Sequence, residues 1–423
     1  MGGTEVYVAA LAESLPAHGI ASVVAAPGPA ERRYRHGGVD VHRFAVTSRP
    51  GLAGAQGEPD RVAAANFARV LDAVHPDIVH LHAHTSAVSA LLLDRARRTG
   101  AKTVVTYHTP TFSCLRGTLL HMGRTVCDGE IGTRRCAACA LAAHGVPPAV
   151  ARVVALTPPS LGRAVARGGG GRWRTALAMS AAAEAMAIRF GRLTDAADRV
   201  VAPALWVTGV LGRNGVPEDR TMLVRQGMPG VAIKGEAAGG RRAEDGPLRI
   251  GFYGRSSPTK GIDILTGALA LIPDADVLLD VTVVNEPGSG REAEALRRAA
   301  AADRRIRLND TLPPEGVVAA MRSLDLVAVP SRWLETGPLV VLEAFAAGTP
   351  VLGSRLGGIA ELVADGVDGM LLPADDVPAW ASAIAALAGD RDRVRALRAG
   401  VRPPRTMTDV AREMAAIYRS LAA

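Results

Sequence analysis

Two glutamates spaced E-x7-E, Glu335 and Glu343, stand in the run PSRWLETGPLVVLEAFAAGTPVLGSRLGGIAEL at 330–362. The pattern predicts a strand over 326–329, a loop carrying Glu335, and a helix that opens with Pro338, a residue suited to a first helical turn. Unpaired backbone N–H groups and the positive end of the helix dipole then face the side of Glu335, which makes a phosphate site. Glu343, one to two turns inside, can accept two hydrogen bonds from a ribose diol, and Glu335 can reach a sugar hydroxyl. The ordinary reading of such a pair is a solvated helix face, so its company matters. That company is GFYGRSSPTKGIDIL at 251–265, where a strand over 248–253 runs into a loop with Arg255 and Lys260, and Gly261 opens a helix. Both cations can converge on a diphosphate. Charge builds on a departing phosphate in the transition state, and preorganised cations stabilise it.

A second constellation is Cys114, Cys127, Cys136 and Cys139, spaced C-x12-C-x8-C-x2-C. These are all the cysteines of the chain, too local for a disulfide framework. Four thiols with a closing C-x2-C suit a tetrahedral site that orders its loop, with zinc the leading ion. An iron–sulfur cluster takes the same ligands, and free or buried cysteines are the ordinary alternative. His108 ends a strand in TYHTPT, and His80, His82 and His84 form HLHAH. Alternation puts the latter on one strand face, but no carboxylate follows at a convincing spacing, so a metal there is disfavoured.

The elements that must position these groups alternate between short β-rich and longer helical runs, which implies βαβ units and parallel sheets. In the first half the pattern gives helix 5–18, strands 21–26 and 40–44, helix 60–73, strand 78–82, helix 86–99, strand 102–108, then strands 199–202 and 221–225. After a Gly- and charge-rich stretch at 234–246, which reads as a linker, come strand 248–253, helix 261–271, strand 277–284, helix 291–302, strand 306–308, helix 314–322, strand 326–329, helix 338–347 and strand 350–353. Ligands of such sheets sit beyond the carboxyl ends of the strands, where Arg255, Glu335 and His108 fall. A final helix spans 407–421.

The stretch from Glu335 through Glu343, with Gly348-Thr349-Pro350-Val351, Gly357-Gly358 and Glu361, resembles the donor-binding segment of the retaining glycosyltransferases of family 4. The resemblance implies a GT-B α/β fold: two Rossmann-like domains, 1–232 and 247–400, facing across a cleft, with the helix at 405–423 crossing back to the first. It implies transfer of a hexose-type sugar from a nucleoside diphosphate sugar to an acceptor, with retention of configuration. Arg255 and Lys260 would carry the leaving group without a metal ion. Thr336, Gly337, Pro338 and Leu339 would join the glutamates at the donor, and His108 would meet a sugar hydroxyl or orient the acceptor. Gly2 and Gly3, in Gly2-Gly3-Thr4-Glu5, resemble the family's glycine loop. The family places a β-strand before that loop. Here the chain begins at it, so either the sheet edge is missing or the true start lies upstream. Some members carry a cysteine-bearing insertion with Cys-x-Arg-Gly, here Cys114-Leu115-Arg116-Gly117 within 109–145, which should border the acceptor cleft. No carboxylate is an obvious nucleophile, which favours a front-face path assisted by the leaving phosphate.

Composition agrees: 48% hydrophobic and 21% charged residues suffice for sizeable cores. A net charge of +8 favours anionic partners, whether a diphosphate or an acidic lipid surface. No nucleic-acid-binding pattern stands out. No secretory signal or spanning run is evident, so a cytoplasmic protein is expected, with peripheral contact at the inner membrane face as an option for the Arg- and Ala-rich helices. The rival readings are a sugar-nucleotide epimerase or hydrolase of the same architecture, and a metal- or redox-responsive binding protein whose transferase site is vestigial.

Overall fold

The computed structural model describes residues 3–47, 58–167, 171–230, 246–284 and 290–422. Gly2, most of the linker expected at 234–246, and most of the glycine run at 168–171 lie outside the described residues. The chain divides into two units, one made of Met1–Arg225 with Val410–Ala423, the other of Gln226–Asp409.

In the second unit the described strands form one parallel sheet in the order Ile306–Asn309, Val277–Val284, Leu248–Arg255, Leu326–Val329, Val351–Ser354, Gly369–Leu372. Alternation sends Leu248, Ile250, Phe252, Leu326 and Ala328 to one face, packed with Ile264, Leu265 and Trp380. Val327 and Val329 go to the other, packed with Val341, Phe345 and Ile359. Each of the valine, leucine, isoleucine and phenylalanine side chains among them, fully buried, contributes about 1.5–3 kcal/mol, so both faces are fixed and the loops at the strand ends have a rigid base.

In the first unit the described strands fall into two main sheets. Ile78–Leu81, Lys102–Thr106, Arg199–Ala202 and Thr221–Leu223 pair in parallel in the order in which the chain meets them. Val23–Gly28 pairs in parallel with Val39–Ala45, which pairs antiparallel with Arg32–His36. The sequence pattern assigns no element to this last strand, because the charged run at 32–36 shows no apolar alternation. The turn makes it a hairpin: Gly37 and Gly38 both have positive φ, 55° and 82°, as a two-residue hairpin turn requires.

Helix starts follow local chemistry. The Asp60 carboxylate accepts from the backbone N–H of Val62 and Ala63 and caps helix Arg61–Val74. The helix expected over 86–99 begins only at Ala90, and Pro338 is the N-cap of helix Leu339–Ala346, outside the first helical turn it was expected to open. Pro338 has an extended ψ of 102°, so the loop continues one residue further than its proline suggested. The last helix, Met407–Ala422, joins the first unit from Val410 onward. Among the described residues no helix is long and apolar enough to cross a membrane.

Candidate functional site

In the second unit the strand Leu248–Arg255 ends on Arg255, which is exposed, and a 3-10 turn Pro258–Lys260 follows. Gly261 comes next at φ 72°, where an added Cβ would lie 2.1 Å from the Pro330 carbonyl oxygen. Only glycine lets this turn press against the end of the neighbouring strand. The contact puts Lys260 beside Glu335: Nζ donates to Oε1 at 2.7 Å, and both side chains are largely buried. The same Oε1 accepts from Ser331 Oγ at 2.9 Å and from Trp333 Nε1 at 2.7 Å. Burial alone would raise the Glu335 pKa, but Lys260 and these donors outweigh it and hold the group below the ordinary glutamate value. Lys260 also lies 5.5 Å from the Trp333 ring centre.

Ser331 and Trp333 are site residues that sequence reasoning missed, as is Arg332. The Arg332 backbone N–H donates to the Thr259 carbonyl, and its guanidinium pairs with Asp263 and Asp375 and donates to the Pro258 carbonyl. It thereby pins the Glu335 loop to the Lys260 turn. The available signal was position, since all three directly follow a strand end. Thr336 and Gly337 are half-buried, Pro338 is buried, and a Cβ on Gly337 would meet the Gln226 side chain at 2.2 Å. Gly358 N–H donates to the Glu335 carbonyl at 2.8 Å, and an added Cβ on Gly358 would lie 2.7 Å from that oxygen, so the close approach requires a glycine there. Leu339 begins the helix in which Glu343 lies one turn on. Burial pushes Glu343 up to about 7, with no other cause of comparable weight.

In the first unit His108 follows strand Lys102–Thr106 and is buried. Helix Gly3–Ser14 brings Tyr7 edge-on against it at 4.7 Å between ring centres, so the start of the chain and His108 share a neighbourhood. His82 Nδ1 and His108 Nε2 are 2.9 Å apart. The His80 and His82 rings lie 3.9 Å apart, and His80 bonds the Tyr418 hydroxyl at 2.6 Å and the Thr106 hydroxyl at 2.7 Å. Burial lowers His108 and His84 to about 4 and His80 to about 3, with His108 adding to the His80 shift and Arg189 to the His84 shift. Burial also lowers His82 well below its usual value, so this group hydrogen-bonds as neutral imidazoles.

Cys114, Cys127, Cys136 and Cys139 are free thiols that line one small cavity. Among the described residues no group of three or more His, Cys, Asp or Glu side chains is already arranged to hold a metal ion.

Known proteins place this arrangement. Residues 1–229 match a family model described as Glycosyltransferase Family 4, and residues 247–390 match one described as Glycosyl transferases group 1. A D-inositol 3-phosphate glycosyltransferase of Nocardia farcinica is 38% identical over 200 residues, 44% of this chain and 44% of that protein. Another from Corynebacterium urealyticum is 34% identical over 214 residues, 46% of this chain and 50% of the relative. The matched stretches thus span half or less of these relatives' own length. Among solved structures, the sucrose-phosphate synthase of Thermosynechococcus elongatus superposes with a TM-score of 0.66 at 20% identity, covering 99% of this chain and 94% of the other. HepE of Anabaena, in complex with UDP, gives 0.64 at 16% identity, with coverage of 99% and 96%. With an α/β fold of the GT-B class and a family model that accounts for more than half of its residues, the chain belongs to glycosyltransferase family 4.

Proposed function

We propose that the protein is a retaining glycosyltransferase that moves a hexose-type sugar from a nucleoside diphosphate donor, with no metal ion in the bond-breaking step. The observation that carries this reading is the Lys260–Glu335 contact at 2.7 Å, built on a glycine-only turn at the carboxyl end of a parallel strand. In the donor complex Lys260 and Arg255 face the diphosphate and take up the charge that develops on the leaving oxygen. Glu335, held ionised by Lys260, Ser331 and Trp333, meets a sugar hydroxyl. Glu343 takes the ribose diol, and Thr336, Gly337, Pro338 and Leu339 line the phosphate end with backbone. His108, neutral at physiological pH, orients the sugar or the acceptor and does not act as a charged acid. The nucleoside diphosphate leaves and the acceptor hydroxyl attacks on the same face of the sugar: the bond from the anomeric carbon to the phosphate oxygen breaks, the bond to the acceptor oxygen forms, and the departing phosphate receives the acceptor proton.

The HepE structures with UDP and UDP-glucose make uridine donors the first to assay, and D-inositol 3-phosphate is the first acceptor because the relatives bear its name. Thermal shift against UDP, GDP and ADP and their sugars tests the donor. A cognate compound at a hundredfold excess over Kd stabilises by about 2.7 kcal/mol. Lys260→Ala should abolish that shift and Arg255→Ala should weaken it. An undiminished shift in Lys260→Ala would remove the phosphate assignment.

A further inference from the structure

The cysteine segment has no role in the donor chemistry and carries its own constellation. Cys114 follows the 3-10 turn Pro110–Phe112, Cys127 follows the short hairpin of Leu120–His121 and Thr125–Val126, and Cys136 and Cys139 sit a turn apart on helix Thr133–Ala143. All four line a cavity of about 20 Å³, together with Arg116, His121 and Arg135. By that measure about 10–15 Å³ admits one water, so the space is of the size of a single ion. His121 Nδ1 is buried without a hydrogen-bond partner.

The surrounding backbone needs a staple. The hairpin has two residues in each strand, where hairpins alone are marginal. Leu119 and Met122 adopt left-handed φ of 49° and 51°, a conformation that costs about 1–2 kcal/mol at a residue with a side chain. A cross-link between the turn, the hairpin and the helix would hold all of these at once.

We propose that Cys114, Cys127, Cys136 and Cys139 bind one Zn²⁺ as a structural tetrahedral site, independently of the donor reading. Binding draws the thiols inward to Zn–S distances of about 2.3 Å; four S–H bonds give way to four Zn–S bonds and the protons leave to solvent. Four thiolates on Zn²⁺ carry a net charge of −2; Arg116 stands on the cavity wall to offset part of it, while Arg135 there is already paired with Asp128 at 2.7 Å. The Met122 backbone N–H already donates to Cys139 Sγ at 3.1 Å, and Arg135 Nη2 donates to Cys127 Sγ at 3.7 Å, so outer-sphere donors for two sulfurs stand ready. The staple also reaches the site: the Tyr107 hydroxyl bonds Ser113 Oγ at 2.6 Å, and Phe112 packs 5.3 Å from Tyr107 and 5.4 Å from His84. An ion that fixes the segment therefore fixes the flank of the strand end that carries His108.

Metal analysis of the full chain, purified with zinc supplied and then dialysed, should find about one zinc per chain. Replacement by Co²⁺ should give thiolate-to-cobalt charge-transfer absorption, and chelation should lower the thermal midpoint by several degrees while making all four thiols reactive. Cys136→Ser combined with Cys139→Ser should reduce zinc to background. Metal content and the cobalt spectrum are read on the wild-type chain, so they decide the matter even if that variant fails to fold. Zinc well below stoichiometry with thiols that react freely, disulfides in the mass spectrum, or zinc retained by the double variant would each overturn the site.

Discussion

Two glutamates of the same motif are shifted in opposite directions. Glu335 stays ionised because Lys260, Ser331 and Trp333 converge on one oxygen, whereas Glu343 lies in a helix with burial as the sole cause of its raised pKa, about 7 against an ordinary 4.5. The sign follows directly. The folded chain binds a proton at Glu343 more tightly than the unfolded chain does, so ionising it costs stability as pH rises from 4.5 through about 7, and the cost stays level above that. A group kept at that cost fits a ligand that uses its ionised form, such as a diol donating two hydrogen bonds. Glu343→Gln should therefore stabilise the protein at pH 8 by up to about 3 kcal/mol in urea unfolding, with the gain fading by about pH 4.5, while weakening donor binding about tenfold or more. A variant that is stabilised and binds the donor as well as wild type would leave Glu343 without its role.

Strand ends decide which side chains can meet. Strands Ile78–Leu81 and Lys102–Thr106 are parallel neighbours, so their ends deliver His82 and His108 to the same place, and the last helix adds Tyr418 to His80. Burial holds these imidazoles neutral, with His84 and His108 near 4. Their folded pKa values are depressed, so stability is complete above about pH 6.5 and is lost as protons bind the unfolded chain below it; at pH 5 a histidine held near 4 costs about 2 kcal/mol. The thermal midpoint should fall steeply between pH 7 and pH 5, and His84→Gln should make that fall shallower. An unchanged slope in the variant would mean that the ring is already protonated or solvated. Much of this was legible in advance: hydrophobic alternation located nearly every strand of the second unit, and Arg255, Glu335 and His108 were singled out because they follow strands. What sequence could not supply were pairings that depend on which strands become neighbours. HLHAH invited a metal reading because spacing says nothing of Tyr418, 338 residues from His80, or of Thr106, both of which satisfy that ring. Likewise the Lys260–Glu335 pair spans 75 residues and depends on Gly261 meeting the Pro330 carbonyl.

For the molecule as a whole, the +8 charge is unevenly placed: from 131 to 183 there is no Asp or Glu, but there are seven arginines. Helices Pro148–Val154, Pro159–Arg167 and Arg172–Leu177 in this stretch expose Val153, Leu161 and Trp173, the last at 81% of its surface, and Leu156 is exposed in the turn between the first two. Apolar side chains exposed among arginines match the interface of an anionic bilayer, where a tryptophan settles at headgroup depth and each nearby arginine adds about 1 kcal/mol. A soluble acidic partner would use the charge but would leave Trp173 unexplained. The protein should therefore cosediment with phosphatidylglycerol vesicles at low salt, bind phosphatidylcholine vesicles at least about tenfold less, and come off as salt shortens the Debye length below about 8 Å. Trp173→Ala should weaken binding several-fold without changing its salt dependence. Arg167→Glu with Arg172→Glu should weaken it further and flatten that dependence, since each reversal both removes an attraction and adds a repulsion. Equal binding to neutral and anionic vesicles, or indifference to both variants, would assign the basic face to the solvent and leave the diphosphate as the molecule's one anionic partner.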